Sequence, residues 1–286
     1  MKILVTGASG FIGRHLVDQL MANEEAKVTA IINRDTFIPI SEKKYKRIDF
    51  VRLDIENVSD HTFKDLGSPD VLIHLAWGGL PNYQSSHHFE QEFIKQYRFL
   101  RSLLDQGLKK IVAIGTCFEY GNCNGEIGEE ACERPITAYG LGKLALKNSL
   151  ELLKPVYPEV TIIWARLFYV YGLGQGEGSL YSQFLRAISS NERVLDMSPG
   201  DQVRDYLRVE QAADYLAKLA FHFVPSGVFN ICSGRPIKLV ELVQYWAAEK
   251  KVRIDLNLGV YPYPTVEPFS FWGNPRKLME ALPKTI

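Results

Sequence analysis

The chain has 286 residues and carries 33 Lys and Arg against 33 Asp and Glu, so its formal charge is zero. That balance supplies no global field for nucleic acid or an anionic membrane surface, and any anionic ligand must be held by local groups. The length suffices to bury a substantial core, as one large domain or as a domain with a smaller lobe. The N-terminal apolar run lacks the basic region and cleavage site of a secretory signal, and no apolar stretch is long enough to span a bilayer. These features predict a cytoplasmic protein with no nucleic-acid and no membrane partner. Cys117, Cys123, Cys132 and Cys232 fit no common zinc pattern and read as reduced thiols, so no metal is expected.

Apolar runs alternate with helical patterns through the first two-thirds of the chain. Ile3–Thr6, Val28–Ile32, Phe50–Leu53, Val71–Leu75, Ile111–Ile114 and Thr161–Ala165 read as buried strands. Ile12–Ala22, His88–Gln106 and Gly142–Leu153 read as helices between them. Strands apolar throughout and separated by helices predict an α/β fold, a doubly wound parallel sheet covered on both faces. After Ala165 a glycine-rich loop (172–178) precedes helices at Ser179–Ser189 and Glu210–Phe223 and a short strand at Gly227–Ile231. Asp201–Val209 reads as polar and basic, and the Pro-, Tyr- and Trp-rich end as irregular. The expected division is a dinucleotide-binding domain over 1–166 with a segment near 208–231 returning to it. A smaller C-terminal substrate-binding lobe is expected over 167–207 and 232–286.

Three segments carry chemistry. Thr6-Gly7-Ala8-Ser9-Gly10-Phe11-Ile12-Gly13 joins the first strand to the first helix. Glycines there let the backbone approach a pyrophosphate, with Gly7, Gly10 and Gly13 shaping the turn and Phe11 and Ile12 donating N–H groups. The second strand runs into Asn33-Arg34, where a carboxylate would hydrogen-bond a ribose diol. A guanidinium forks well onto phosphate, which favours NADP(H) over NAD(H); the alternative is a solvated surface charge. Asp54 either accepts from the adenine amino group or caps the following turn. Tyr139-Gly140-Leu141-Gly142-Lys143 places a phenol and an ammonium one helical turn apart.

These segments resemble the extended short-chain dehydrogenase/reductase family, of the NAD-dependent epimerase/dehydratase type. Further matches, in family order over almost the whole chain, are Asp54-Ile55, His74-Leu75-Ala76, Arg166 before Val170-Tyr171-Gly172, Arg204-Asp205-Tyr206 and Phe229-Asn230-Ile231. The resemblance implies a Rossmann-type fold, a nucleotide-diphosphate sugar as substrate, and a cofactor site that includes Ile55, Leu75 and Ala76. It implies that Lys143 lowers the Tyr139 pKa and bonds the nicotinamide ribose, while Tyr139 exchanges a proton with a sugar oxygen as hydride moves at carbon. Thr116 stands where the family has its Ser or Thr, and Arg204 where an arginine reaches the substrate diphosphate. A homodimer is implied through helices near 88–106 and 139–153. Phe89, Phe93, Tyr97 and Leu100 form an apolar stripe there, which would equally serve to cover the sheet.

Departures from the family narrow the expected reaction. Cys117 and Phe118 follow Thr116, and neither can supply the extra acid and base that a dehydratase needs. Trp77 and Tyr83 either wall the sugar pocket or pack their loop, and Tyr169 stands where epimerases often have asparagine. Ser179 caps its helix or touches the nucleotide, and His74 reads as a packed core histidine. The favoured expectation is NADPH-dependent reduction of a nucleotide-linked 4-keto-6-deoxyhexose. The alternative is an NAD-dependent nucleotide-sugar 4-epimerase. A non-catalytic dinucleotide sensor is a third reading, against which an intact Thr116, Tyr139 and Lys143 set argues.

Overall fold

A computed structural model describes residues 1–32, 47–263 and 267–283. In chain order the first half contains β1 (Lys2–Thr6), α1 (Phe11–Met21), β2 (Lys27–Ile32), β3 (Ile48–Arg52), α2 (Thr62–Asp65), β4 (Val71–His74), α3 (Phe93–Asp105), β5 (Lys110–Thr116), β6 (Gly125–Ile127) and α4 (Ala138–Leu153). The second half contains β7 (Thr161–Leu167), β8 (Tyr169–Tyr171), α5 (Leu180–Ser189), β9 (Val194–Asp196), β10 (Val203–Arg208), α6 (Val209–Phe221), β11 (Gly227–Ile231), β12 (Pro236–Lys238), α7 (Leu239–Lys250), β13 (Asp255–Asn257), β14 (Phe271–Gly273) and α8 (Arg276–Ala281).

Seven strands form one parallel sheet in the order β11-β7-β5-β4-β1-β2-β3. Successive side chains of a strand face opposite sides, so β1 divides its apolar residues between two cores. Ile3 and Val5 join the core beneath α1 and α6, while Leu4 joins the core beneath α3 and α4. The connection reverses direction between β1 and β4, and the crevice this leaves at the strand ends is the ordinary ligand position of such sheets. Thr6 and His74 pair in register at that point.

The strand and helix readings survive with shifted ends, and three regions differ. The helix expected over 88–106 begins as a π-helical turn, His88–Glu92, before α3 proper. The segment read as polar and basic contains strand β10, because its charges have buried partners. Arg204 pairs with Glu267, and the Asp205 carboxylate accepts N–H groups of Ser233, Gly234 and Gly273. The end read as irregular contains β14 and α8, and α7 before it, for which the sequence reading offered no element, packs Leu242, Val243 and Trp246 against Tyr171, Tyr181 and Phe184. Three smaller sheets, β12-β10-β8, β13-β9 and β14-β6, lie in this later part of the chain and its contacts.

Among the described residues, no helix is long and apolar enough to cross a membrane, and no cluster of candidate metal ligands occurs. All four cysteines are free thiols.

Candidate active site

The glycine turn after β1 is a cradle that side chains would fill. Gly7 adopts φ +67°, and a Cβ on it would lie 2.8 Å from the Ala76 nitrogen. A Cβ on Gly13 would lie 2.1 Å from the Gly7 carbonyl oxygen. With Gly10 as N-cap, the N–H groups of Phe11, Ile12 and Gly13 fall in the first helical turn, where no intrahelical acceptor exists. This arrangement fits a pyrophosphate, with the helix dipole favouring the anion.

Cavities open on either side of the turn, and Gly7, Gly10, Leu75 and Trp77 line both. One, of about 390 Å³, is bordered by Ile32, Asp54, Ile55, Ala76 and Glu92. Its apolar walls and carboxylates suit the adenosine half of a dinucleotide. Asp54 caps the following turn through the Glu56 N–H at 3.1 Å while bordering this cavity. Asn33 and Arg34 lie outside the described residues.

The other cavity, of about 350 Å³, brings Thr116, Tyr139 and Lys143 together with Tyr83, Phe118 and Tyr169. Thr116 ends β5, and Tyr139 and Lys143 lie one turn apart on α4, capped by Thr137 through the Gly140 N–H at 3.0 Å. The two glycines between them explain the close fit. A Cβ on Gly140 would lie 2.6 Å from the Phe118 carbonyl oxygen, and one on Gly142 would lie 2.5 Å from that of His88. The helix thus presses its reactive face against both neighbouring backbones.

Tyr139 is nearly closed off from solvent, at 8% exposure, with the rings of Trp77, Tyr83, His88 and Phe118 around it. Burial pushes its phenol above the ordinary value, Tyr83, Glu119 and Cys117 push the same way, and a hydrogen bond with Thr116 opposes them. The expected lowering by Lys143 therefore does not govern here. Lys143 is itself brought down to about 7, because desolvation outweighs the favourable fields of Glu119 and Glu92. Its Nζ donates to the Ile114 carbonyl at 2.8 Å and stands 4.1 Å from the centre of the Trp77 ring. Such a site keeps the phenol protonated and able to donate.

Beneath Thr116 lies a charge network with no solvent access at its centre. Glu119 accepts the Thr116 N–H at 2.7 Å and the Arg166 Nε–H at 2.8 Å, and Trp164 donates to the same carboxylate. Glu133 joins Arg166 to Lys147. Cys117 and Phe118 line the cavity, and burial pushes the Cys117 thiol up, which leaves it a neutral wall.

Other expected residues have different employment. Arg204 is 1% exposed, does not line the cavity, and donates to Glu267 at 3.0 Å and to the carbonyls of Val203 and Phe269. Its guanidinium is therefore engaged by protein acceptors on every nitrogen. Ser179 caps α5 through the Ser182 N–H at 3.2 Å. Trp77 and Tyr83 border the cavity, but the Trp77 indole also donates to His88. Tyr169 borders it too, with its hydroxyl donating to Glu267 at 2.7 Å. His74 is a core residue, bonded to Thr6 at 2.8 Å and stacked on Phe99. In the apolar stripe, Leu100 is buried and Phe93 and Tyr97 pack against the core, so much of it covers the sheet.

His88, Glu133, Glu267 and Gln175 escape sequence reasoning as site residues. Gln175 borders the reactive cavity, and its Oε1 is buried without a protein partner. The signal for Gln175 was its place within the glycine-rich loop; the other three become legible only through contacts distant in sequence.

Known proteins resemble this chain in sequence and in fold. The chain is 28% identical over 278 residues to a dTDP-6-deoxy-L-talose 4-dehydrogenase (NAD(+)) of Aggregatibacter actinomycetemcomitans, covering 96% of this chain and 99% of that protein. It is 29% identical over 224 residues to an uncharacterized UDP-glucose epimerase of Bacillus subtilis, covering 72% of this chain and 68% of that one. The fold matches a UDP-glucuronic acid 4-epimerase of Bacillus cereus solved with UDP-glucuronic acid and NAD, with TM-score 0.81, 24% identity, and coverage of 100% and 95%. Residues 3–232 match the model of the NAD dependent epimerase/dehydratase family, and the chain belongs to that family.

Proposed function

We propose that this protein oxidises and reduces C4 of a nucleotide-diphosphate-linked hexose with NAD(H), and that it completes the cycle as a 4-epimerase. The observation that carries this reading is the convergence of Thr116, Tyr139 and Lys143 in one cavity beside the glycine cradle. A single proton-exchanging group suffices for such chemistry, and among the described residues lining the cavity no carboxylate or histidine offers a second acid and base for dehydration. Lys143 is the only charged side chain among the described residues lining it, and its Nζ is already bonded to the Ile114 carbonyl, so no cation is left over for a sugar carboxylate. This agrees with a 6-deoxyhexose or a neutral hexose.

Bound NAD(H), held by the first turn of α1 and by Lys143, would supply hydride transfer at the sugar carbon. Tyr139 donates its proton to the carbonyl oxygen as that oxygen gains charge, and recovers it in the opposite direction. Thr116 donates a hydrogen bond to the same oxygen and fixes its position. Lys143 orients the ribose hydroxyls and compensates the phenolate when it forms. Tyr83, Phe118 and Tyr169 exclude water and wall the sugar.

NAD(H) is preferred to the NADP(H) expected from Arg34, because the name of the full-length relative specifies NAD(+). The same relative supports a second reading, net 4-dehydrogenation and its reverse, 4-keto reduction. We also propose the lobe division at 166–167, with 208–231 returning to the sheet, where α6 and β11 pack. The expected homodimer would use the faces of α3 and α4 that carry exposed Ile94, Leu141 and Leu152. A solution mass measurement tests it.

The deciding experiment incubates the protein with NAD and UDP-, dTDP-, CDP- or GDP-linked hexoses, following 340 nm absorbance and sugar NMR together. Interconversion of C4 epimers without net absorbance supports the epimerase. Stoichiometric NADH accumulation supports the dehydrogenase and overturns the epimerase. Cofactor binding without turnover on any of them would overturn both and favour the sensor.

A further inference from the structure

We propose that His88 and Trp77 are positioning residues for Lys143, forming a tether that holds an aromatic face against the lysine ammonium. This rests on the reading above, in which Lys143 works as the charged partner of Tyr139 and of the cofactor ribose.

The geometry fixes every proton in the tether. His88 is fully buried, and its Nε2 lies 2.8 Å from the Asn82 carbonyl oxygen, which can only accept. Nε2 therefore carries the proton, and Nδ1 of the neutral ring is left as an acceptor. The Trp77 indole N–H fills that role at 3.1 Å. With its edge so anchored, Trp77 turns its ring face to the Lys143 ammonium at 4.1 Å. Gly142 lets the helix approach, since a Cβ there would also lie 3.2 Å from the Trp77 ring.

Lys143 needs this support. Burial pulls it down to about 7, which works against the charge that the chemistry uses. The charged and titratable groups facing it are Glu119 from the turn after β5, Glu92 from the turn before α3, His74 from β4, and Tyr139 on its own helix. The carboxylates favour the ammonium, whereas the desolvated His74 stays neutral. A cation over a desolvated indole face adds to the carboxylates, and it does so only while the ring is held flat against Nζ.

The test titrates Lys143 directly, without substrate. The protein is labelled with [ε-13C]lysine, and the Lys143 resonance is assigned by its absence in Lys143→Met. In Trp77→Leu and His88→Phe the titration midpoint should fall by about one pH unit. In His88→Asn, whose Oδ1 can take the place of Nδ1 as acceptor for the indole, the midpoint should stay with the parent. Trp77→Phe keeps a ring of weaker face and no N–H, and its midpoint should fall by less, which covers the case where the leucine variant does not fold. A midpoint unchanged in Trp77→Phe and His88→Phe would overturn the tether, whatever the protein turns over. Loss of all sugar turnover in the parent, with the midpoints shifting as stated, would count against the C4 reading and leave the tether standing. Where turnover is found, the alkaline limb of kcat/KM should move to lower pH in His88→Phe and return in His88→Asn.

Discussion

The Glu119 carboxylate accepts the Thr116 backbone N–H at 2.7 Å, and both residues close a reciprocal cap, with the Thr116 hydroxyl accepting the Phe118 N–H. The proposed substrate-facing hydroxyl is thus tied to a carboxylate with no solvent access, which is in turn held by Arg166. Burial pushes the Glu119 carboxyl up, while Arg166, the Thr116 N–H and Trp164 oppose it.

Glu119→Gln keeps the shape and removes the charge, leaving Arg166 with Glu133 alone. Breaking a buried pair from one side costs about 3–5 kcal/mol, and the remaining Glu133 places this variant toward the lower end. Urea denaturation of parent and variant measures it. A variant as stable as the parent would show that Glu133 suffices.

Tyr139→Phe should lower kcat by about 10²–10⁴-fold with NAD affinity retained, as expected for loss of one acid–base group. Thr116→Val should lower it by about tenfold to a hundredfold, the worth of one hydrogen bond to a charged oxygen. Steady-state kinetics with cofactor titration checks both, and an equal loss of cofactor binding would contradict the assigned roles.

Gly13→Ala should abolish measurable NAD binding, because the new methyl would sit 2.1 Å from the Gly7 carbonyl oxygen and the turn must open. Isothermal titration detects this. Far-UV circular dichroism of the same sample should remain that of the parent, since the clash is local to the cradle.

His74 is held neutral by burial, its pKa moving from 6.5 to about 3. The unfolded chain binds a proton in that interval and the folded chain does not. Stability is therefore full above pH 6.5 and falls as pH drops toward 3, by up to about 1.4 kcal/mol per pH unit from this group. Urea midpoints between pH 7 and 4.5 should show that slope, and His74→Gln should flatten it.

Arg204→Met should damage stability more than substrate affinity. The guanidinium is committed to Glu267 and two carbonyls, and its loss leaves the Glu267 carboxylate with the Tyr169 hydroxyl alone among these contacts. Thermal unfolding should show a clear loss while KM for the active sugar nucleotide stays within a fewfold. A large rise in KM without loss of stability would restore Arg204 as a diphosphate ligand.

The sequence by itself determined what depends on neighbours along the chain. The apolar run Ile3–Thr6 followed by Gly7, Gly10 and Gly13 is a strand, a tight turn and a helix start, and each part is legible within a dozen residues. Tyr139 and Lys143 share a helix face by spacing alone, and the parallel sheet follows from alternating runs. Even α7 had its apolar spacing on the page, at Leu239, Leu242, Val243 and Trp246, although the sequence reading assigned no element there. Only the tertiary structure decided which charges meet. Arg204 reads as a free anion ligand until Glu267, 63 residues away, is found against it. Glu119 reads as a loop residue until Arg166, 47 residues on, closes over it. Trp77 reads as a pocket wall or as loop packing, and only the fold shows His88 at its edge and Lys143 at its face. The physical reason is the same in each case: periodicity and turn chemistry act over a few residues, whereas desolvation and ion pairing depend on what the fold brings into contact.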